Sequence, residues 1–171
     1  MKLELITHPN EILQTKLTEE WDFDNPQYDA SELRESMLDL MIKNLGIGLS
    51  ANQVGLKVRC FVFLNNQANN NLDTKVLALR PSWKPMEDTK SITMYEACLS
   101  YPGVVLNIER PERIKATWTD HNGKKFEEVL IGYQARCFMH ECDHLDGITF
   151  DQYVSPVKWK EAVANAEAKK T

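Results

Sequence analysis

His140-Glu141-Cys142-Asp143-His144 is an HExxH sequence inside a stretch that reads as a helix. At about 100° per residue, positions four apart share one helix face, so the two imidazoles can close on a single cation. Glu141 stands one step round the same edge, a carboxylate placed to move a proton. The chemistry of such a set is metal-assisted hydrolysis. The competing reading is a surface helix that happens to carry two histidines. A third ligand separates the two readings, because a catalytic divalent metal ordinarily takes three protein ligands and keeps one position open.

The continuation Leu145-Asp146-Gly147-Ile148-Thr149-Phe150 follows the metzincin pattern as far as its glycine. It then puts Phe150 where that pattern needs a histidine. Cys137 shares the histidine face but starts a turn below His140, about 7 Å along the axis from a cation held between the histidines. Cys142 points off that face, and Cys60 sits in an apolar, β-prone run. His8 and His121 lie before a proline and in a turn, and remain open as less favoured ligands. Cys98, in Tyr95-Glu96-Ala97-Cys98-Leu99-Ser100, is the best candidate. A thiolate with two imidazoles accepts Fe(II), Co(II), Ni(II) or Zn(II).

These residues need elements to hold them. Asp29 with Glu32 predicts a capping box, and Leu33, Met37, Leu40, Met41 and Leu45 recur at helical spacing up to Gly46. Residues 46–53 are glycine-rich and suit a close backbone approach. Val58 to Leu64 predicts a buried strand, and Asn65 to Asn71 an exposed loop. Arg113 to Thr119 alternates Ile114, Ala116 and Trp118 inward, then Asn122-Gly123 turns the chain into a second hairpin strand, Lys124 to Leu130. Tyr133 to Leu145 is the motif helix, stopped around Gly147. Ser155-Pro156 opens a short C-terminal helix carrying Trp159 and Val163. The expected fold class is α+β, with mixed or antiparallel β-sheets around a central helix that carries the HExxH metal motif. Residues 1–171 are expected to form a single catalytic domain, with the C-terminal helix from about 155.

At 171 residues, the net charge of -5 and pI near 5.4 argue against a DNA or polyanion groove. No apolar run suggests a membrane span or a signal segment, so a soluble protein is expected. The four cysteines form no CxxC pair, which favours thiols in a reducing, cytoplasmic compartment. A monomer is the default.

Taken together, Gly46-Ile47-Gly48-Leu49-Ser50-Ala51-Asn52-Gln53, Glu96-Ala97-Cys98-Leu99-Ser100 and the 140–144 pentapeptide resemble the three signature motifs of the peptide deformylases, in the family's order. The likeness also takes in Ile6-Thr7-His8-Pro9, Tyr101-Pro102-Gly103, Arg110-Pro111 and the run from Gly132 to Phe150. It implies Cys98, His140 and His144 as ligands of one divalent metal, Fe(II) first, with Zn(II), Ni(II) or Co(II) as alternatives. Glu141 is implied as general acid/base, and Gln53 with the Leu99 N–H as donors to the oxyanion. Ile47, Gly48, Met94, Ala97, Tyr133 and Cys137 are implied as the lining of a methionine pocket. Glu96 and Asp143 are expected to orient ligands. The implied reaction removes the formyl group from N-formylmethionyl peptides, and a transient ribosome contact is implied as well, although the tail after Ser155 is shorter than in many bacterial members. Ser50, Ala97 and Met139 depart from the family's common alanine, glycine and glutamine. The rival functions are an HExxH metallopeptidase and a non-catalytic peptide-binding homologue.

Overall fold

The computed structural model describes residues 1–67 and 74–170. Residues 68–71 of the expected Asn-rich loop lie outside the described residues. Asn65, at its start, is buried and donates to a Glu128 carboxylate oxygen at 3.0 Å.

Helix α1 (Ala30–Lys43) begins where the Asp29 carboxylate accepts the Glu32 N–H at 2.8 Å. The capping box is only half formed, because the Glu32 carboxylate pairs with the N-terminal ammonium of Met1 at 2.6 Å. Leu33, Met37, Leu38 and Met41 make the buried stripe. Leu45 leaves it: the chain turns out of the helix there with a φ of +59° and the side chain is 93% exposed.

The strands are β1 (Gly48–Ser50), β2 (Cys60–Leu64), β3 (Lys75–Pro85), β4 (Ser91–Ala97), β5 (Val105–Pro111), β6 (Arg113–Thr119) and β7 (Lys125–Ile131). One sheet has the order β1-β2-β3-β6-β7, and β4 and β5 form a separate two-stranded sheet. All these pairings are antiparallel, and an isolated parallel bridge joins Glu19 to Val58. The hairpin register pairs Trp118 with Phe126, and Ile114, Ala116 and Trp118 face the core as their alternation requires.

Helix α2 (Tyr133–Leu145) is buried almost all round, packed against the inner face of the larger sheet. Phe138 meets Phe61 and Phe63 edge-on at centroid distances of 5.0 and 5.5 Å. The helix ends before Gly147, which has a φ of +71°. A Cβ there would lie 2.7 Å from both Gln14 O and Lys16 N, so the backbone crossing that returns the N-terminal segment to α2 requires glycine. Helix α3 (Pro156–Ala168) starts at Ser155, whose hydroxyl accepts from Lys158 N. Its Trp159 packs on Tyr101 and Phe150, forming a small second cluster beneath the Cys98 segment.

The expected fold class is corrected. The metal-capable group is the triad Cys98, His140 and His144, not an HExxH motif carried by the central helix. Two imidazoles one turn apart supply only part of a coordination shell, and Glu141 is not in the group. The third donor comes from the chain leaving β4, so the site belongs to the junction of the small sheet and α2. Sequence periodicity also did not reveal β3, β4 or β5 as strands.

Candidate active site

Strand β4 ends at Ala97, and the chain turns at once, with Tyr101 N donating to Cys98 O at 2.9 Å. That turn sets the thiol over α2. Cys98 Sγ lies 3.3 Å from His144 Nε2, and the two Nε2 atoms of His140 and His144 lie 3.1 Å apart. All three ligand atoms fall within 4.8 Å of one another and all three residues are buried. Tetrahedral coordination at usual Zn–S and Zn–N lengths puts N and N about 3.4 Å apart, and S and N about 3.6 Å apart. The Cys98–His144 and His140–His144 separations are therefore within a few tenths of an ångström of a cation-binding arrangement.

A buried ion network holds it in place. Glu96 Oε1 accepts from His140 Nδ1 at 2.8 Å, which leaves Nε2 for the triad. Arg110 donates to both Glu96 oxygens at 2.6 and 3.0 Å, and Arg136 Nη1 donates to Oε2 at 2.6 Å. Arg110 also reaches Asp143 at 2.8 Å. Burial pushes the Glu96 carboxyl up, but its bonds from His140 and Arg110 outweigh this and hold it down at about 2. Burial lowers Arg110, yet Glu96 and Asp143 raise it above its ordinary value, so it stays charged. Burial also opposes a charged His140, but contacts with Cys98 and Glu96 raise its pKa well above the ordinary range. His144 is driven the other way by burial and then by the charge on His140.

Glu141 is buried beside this network. A Cβ at Gly48 would come within 2.5 Å of its Oε1, so only glycine lets β1 approach so closely. Its Oε2 has no hydrogen-bond partner among the described residues. Burial, reinforced by Glu96 and Asp143, raises its pKa to about 7 although the His140 charge opposes the shift. A carboxyl poised there can take and return a proton near neutral pH. Gln53 Oε1 accepts from the Ser50 N–H and hydroxyl, both at 2.9 Å. That fixes the amide nitrogen toward Ser100 Oγ at 3.0 Å and Cys98 Sγ at 3.6 Å. Asn52 Nδ2 donates to the His144 carbonyl at 2.6 Å. The sequence motifs assign neither Ser50 nor Asn52 a role at the site; their signal is the short polar run directly before Gln53.

A cavity of about 490 Å³ opens onto these groups. Ile47, Gly48, Ala97, Tyr133 and Cys137 line it, as do Gln53, Leu99 and Glu141. Met94 lies outside this lining, on β4 opposite Ile108. Cys137 donates to Ile47 O at 3.5 Å, and its thiol is pushed well above the ordinary range by burial, so it lines the wall as a neutral group. Leu45 and Tyr95 also line the cavity, and sequence patterning did not assign them there. His8 stacks on Tyr101 and His121 sits in the hairpin turn; neither joins the triad.

A thiol and two imidazoles converging beside a buried carboxyl and a fixed amide donor, on an α+β fold, define a protein built around a single-metal site. The chain belongs to the polypeptide deformylase family, whose model matches residues 2–160. It is 37% identical over 153 residues to peptide deformylase 1 of Corynebacterium glutamicum, covering 89% of this chain and 86% of that protein. It is 36% identical over 148 residues to the chloroplastic/mitochondrial peptide deformylase 1B of Arabidopsis thaliana, covering 86% of this chain. The chain spans about half, 52%, of the length of that plant relative. Among solved structures, the peptide deformylase from Legionella pneumophila superposes with a TM-score of 0.82 at 27% identity, covering 99% of this chain and 96% of that one. The peptide deformylase from Synechococcus elongatus in complex with actinonin gives 0.77 at 30% identity, over 96% and 86% of the two chains. The cofactor is a single divalent metal ion held by cysteine and histidine side chains.

Proposed function

We infer that the chain hydrolyses the N-formyl group of peptides beginning with formylmethionine, releasing formate and a free amino terminus. The observation that carries this reading is the convergence of Cys98, His140 and His144 beside Glu141 and the Gln53 amide, at the end of one largely apolar cavity. Cys98, His140 and His144 would hold the metal. Bound there, the metal supplies Lewis acidity and lowers the pKa of a water toward neutrality.

The remaining steps belong to the protein. Glu141 Oε2 takes the proton as the water oxygen bonds to the formyl carbon. The Gln53 amide and the Leu99 N–H donate to the oxygen that gains charge, and one such donor is worth about 3 kcal/mol of barrier. Glu141 then returns the proton to the nitrogen as the C–N bond breaks. Strand β1 ends the larger sheet and β4 has only β5 as neighbour, and both border the cavity, so an extended peptide can pair with main chain there. Ile47, Tyr133 and Cys137 receive the methionine side chain.

Residues 1–171 act as one catalytic domain, a monomer in the cytoplasm with Fe(II) as the metal. No described helix is long and apolar enough to cross a membrane. The test is formate release from formyl-Met-Ala-Ser by anaerobically purified, metal-assayed protein, with Cys98→Ser and Glu141→Ala beside it. Turnover lost in both variants is expected, with metal lost only in the first. No turnover in fully metallated wild type would overturn the reading.

A further inference from the structure

The ring of Tyr153 covers one face of the Arg110 guanidinium, with Cζ 4.6 Å from the ring centroid. Arg110 is 4% exposed and Tyr153 43%, so the ring stands between a buried cation and solvent. The phenol completes the cover. It donates to Asp143 Oδ2 at 2.6 Å, the same carboxylate oxygen that accepts from Arg110 Nη1 at 2.8 Å, and Nη1 also donates to the phenol oxygen at 3.3 Å. Burial and then Asp143 push the phenol up to about 12, so it remains a neutral donor. The far edge of the guanidinium grips Glu96 with two bonds, and Glu96 Oε1 accepts from His140 Nδ1. Contact therefore runs unbroken from Tyr153 through Arg110 and Glu96 to a metal-ligating histidine. Tyr153 closes a single turn of 3-10 helix, Phe150–Tyr153, between α2 and α3. At the start of that turn, Phe150 sets its ring edge-on to that of His140, with centroids 5.8 Å apart. One short turn thus backs His140 twice, once directly and once through the ion network. No sequence motif includes Tyr153, and no step of the hydrolysis uses it.

We propose that Tyr153 is a positioning residue for the metal site: it seals Arg110 against water and so fixes the Glu96 carboxylate that orients His140. Glu96 Oε1 accepts from Arg110 Nη2 and His140 Nδ1 at once, so a guanidinium free to swing toward solvent would draw the carboxylate with it and leave the imidazole to turn. Water admitted beside the guanidinium also raises the local dielectric and weakens every charge-assisted bond in the set. The phenol is neutral, so it acts through geometry and the exclusion of water rather than through a charge of its own. The inference rests on the cysteine–histidine metal site and is independent of which substrate that site turns over.

The experiment loads metal-free wild type, Tyr153→Phe and Tyr153→Leu with Co(II), and reads affinity by chelator competition and the visible absorption of the bound ion, with no substrate present. Tyr153→Phe keeps the ring over Arg110 and loses the bond to Asp143, whereas Tyr153→Leu loses both. Affinity should fall about tenfold in Tyr153→Leu and about threefold in Tyr153→Phe, and the ligand-field bands should shift in Tyr153→Leu. A loss of fold stability alone would not move those bands. At saturating Co(II), KM for formyl-Met-Ala-Ser should match wild type in both variants, because Tyr153 does not line the cavity. Should Tyr153→Leu not fold, the loss in Tyr153→Phe decides alone. Wild-type affinity in Tyr153→Phe, or wild-type bands in Tyr153→Leu, would overturn the positioning role while leaving the metal site intact. No uptake of Co(II) by wild type would overturn the metal site and this inference with it.

Discussion

Replacing Glu141 with glutamine keeps the shape of the side chain and removes a buried ionisation, which makes the cost of placing that carboxyl here measurable. Its pKa rises from an ordinary 4.5 to about 7 in the fold, chiefly through burial. At 1.36 kcal/mol per pKa unit, the rise corresponds to about 3 kcal/mol of stability. The sign follows from proton counting. The folded state binds the proton more tightly than the unfolded chain, so the stability is fully present below about 4.5 and is lost as pH rises through about 7. Glu141 is only 4% exposed, so solvent screening removes little of this. Urea unfolding of metal-free wild type and Glu141→Gln at pH 5 and pH 8 reads it directly. Wild type should lose about 3 kcal/mol more than the variant across that interval, or about 6–12 °C in Tm for a chain of this size. The difference between the two proteins is the readout, since His140 and other groups titrate in both. A bound cation should compress the difference by favouring the carboxylate, while turnover of the loaded variant falls by about 10²–10⁴. Parallel pH profiles for the two metal-free proteins would refute the idea that Glu141 is a destabilised buried acid.

Three other perturbations follow from the same geometry. Glu96→Gln removes the carboxylate shared by Arg110, Arg136 and His140, leaving buried charge unpaired; unfolding should show a loss of about 3–5 kcal/mol and metal titration a loss of about 10–100-fold in affinity. Because Glu96 is held at about 2, its stabilisation is present above its ordinary 4.5 and disappears as pH falls toward about 2, so the acid-unfolding transition of wild type should lie in that window and be flattened in the variant. In Gly48→Ala the new methyl would sit 2.5 Å from Glu141 Oε1 and 2.8 Å from Cys137 Sγ, so turnover should drop about 10²-fold with metal content retained. Ser50→Ala leaves Gln53 Oε1 with the Ser50 N–H alone; kcat should fall about tenfold with KM little changed, and an unchanged kcat would show that the hydroxyl does not hold the amide.

Much of the site is local and therefore legible in the chain. The His140–His144 spacing places two imidazoles on one face whatever surrounds the helix, and glycines at 46 and 48 announce a backbone that something must approach closely. The Tyr133–Leu145 helix and the Arg113–Ile131 hairpin also follow from short-range periodicity and turn chemistry. Strands β4 and β5 are hard to read from apolar alternation because an inward position on each is charged, Glu96 on β4 and Arg110 on β5, and that pair makes sense only once the two strands lie side by side. Leu45 escaped for a different reason: helical spacing cannot register that the chain turns left-handed one residue before Gly46.

The amino-acid sequence by itself determined the donor types, the helix that carries two of them and the family motifs, because these depend on residues within a few positions of one another. Only the tertiary structure decided how closely the three donors converge, with the Cys98 thiol 3.3 Å from His144 Nε2 where the chain leaving β4 meets α2. It also decided that Glu96 accepts from His140 across 44 residues of chain, that burial lifts the Glu141 carboxyl to about 7, and that Leu45 and Tyr95 line the same cavity. Those properties depend on burial and on charges brought together from distant segments, and neither exists until the chain has packed.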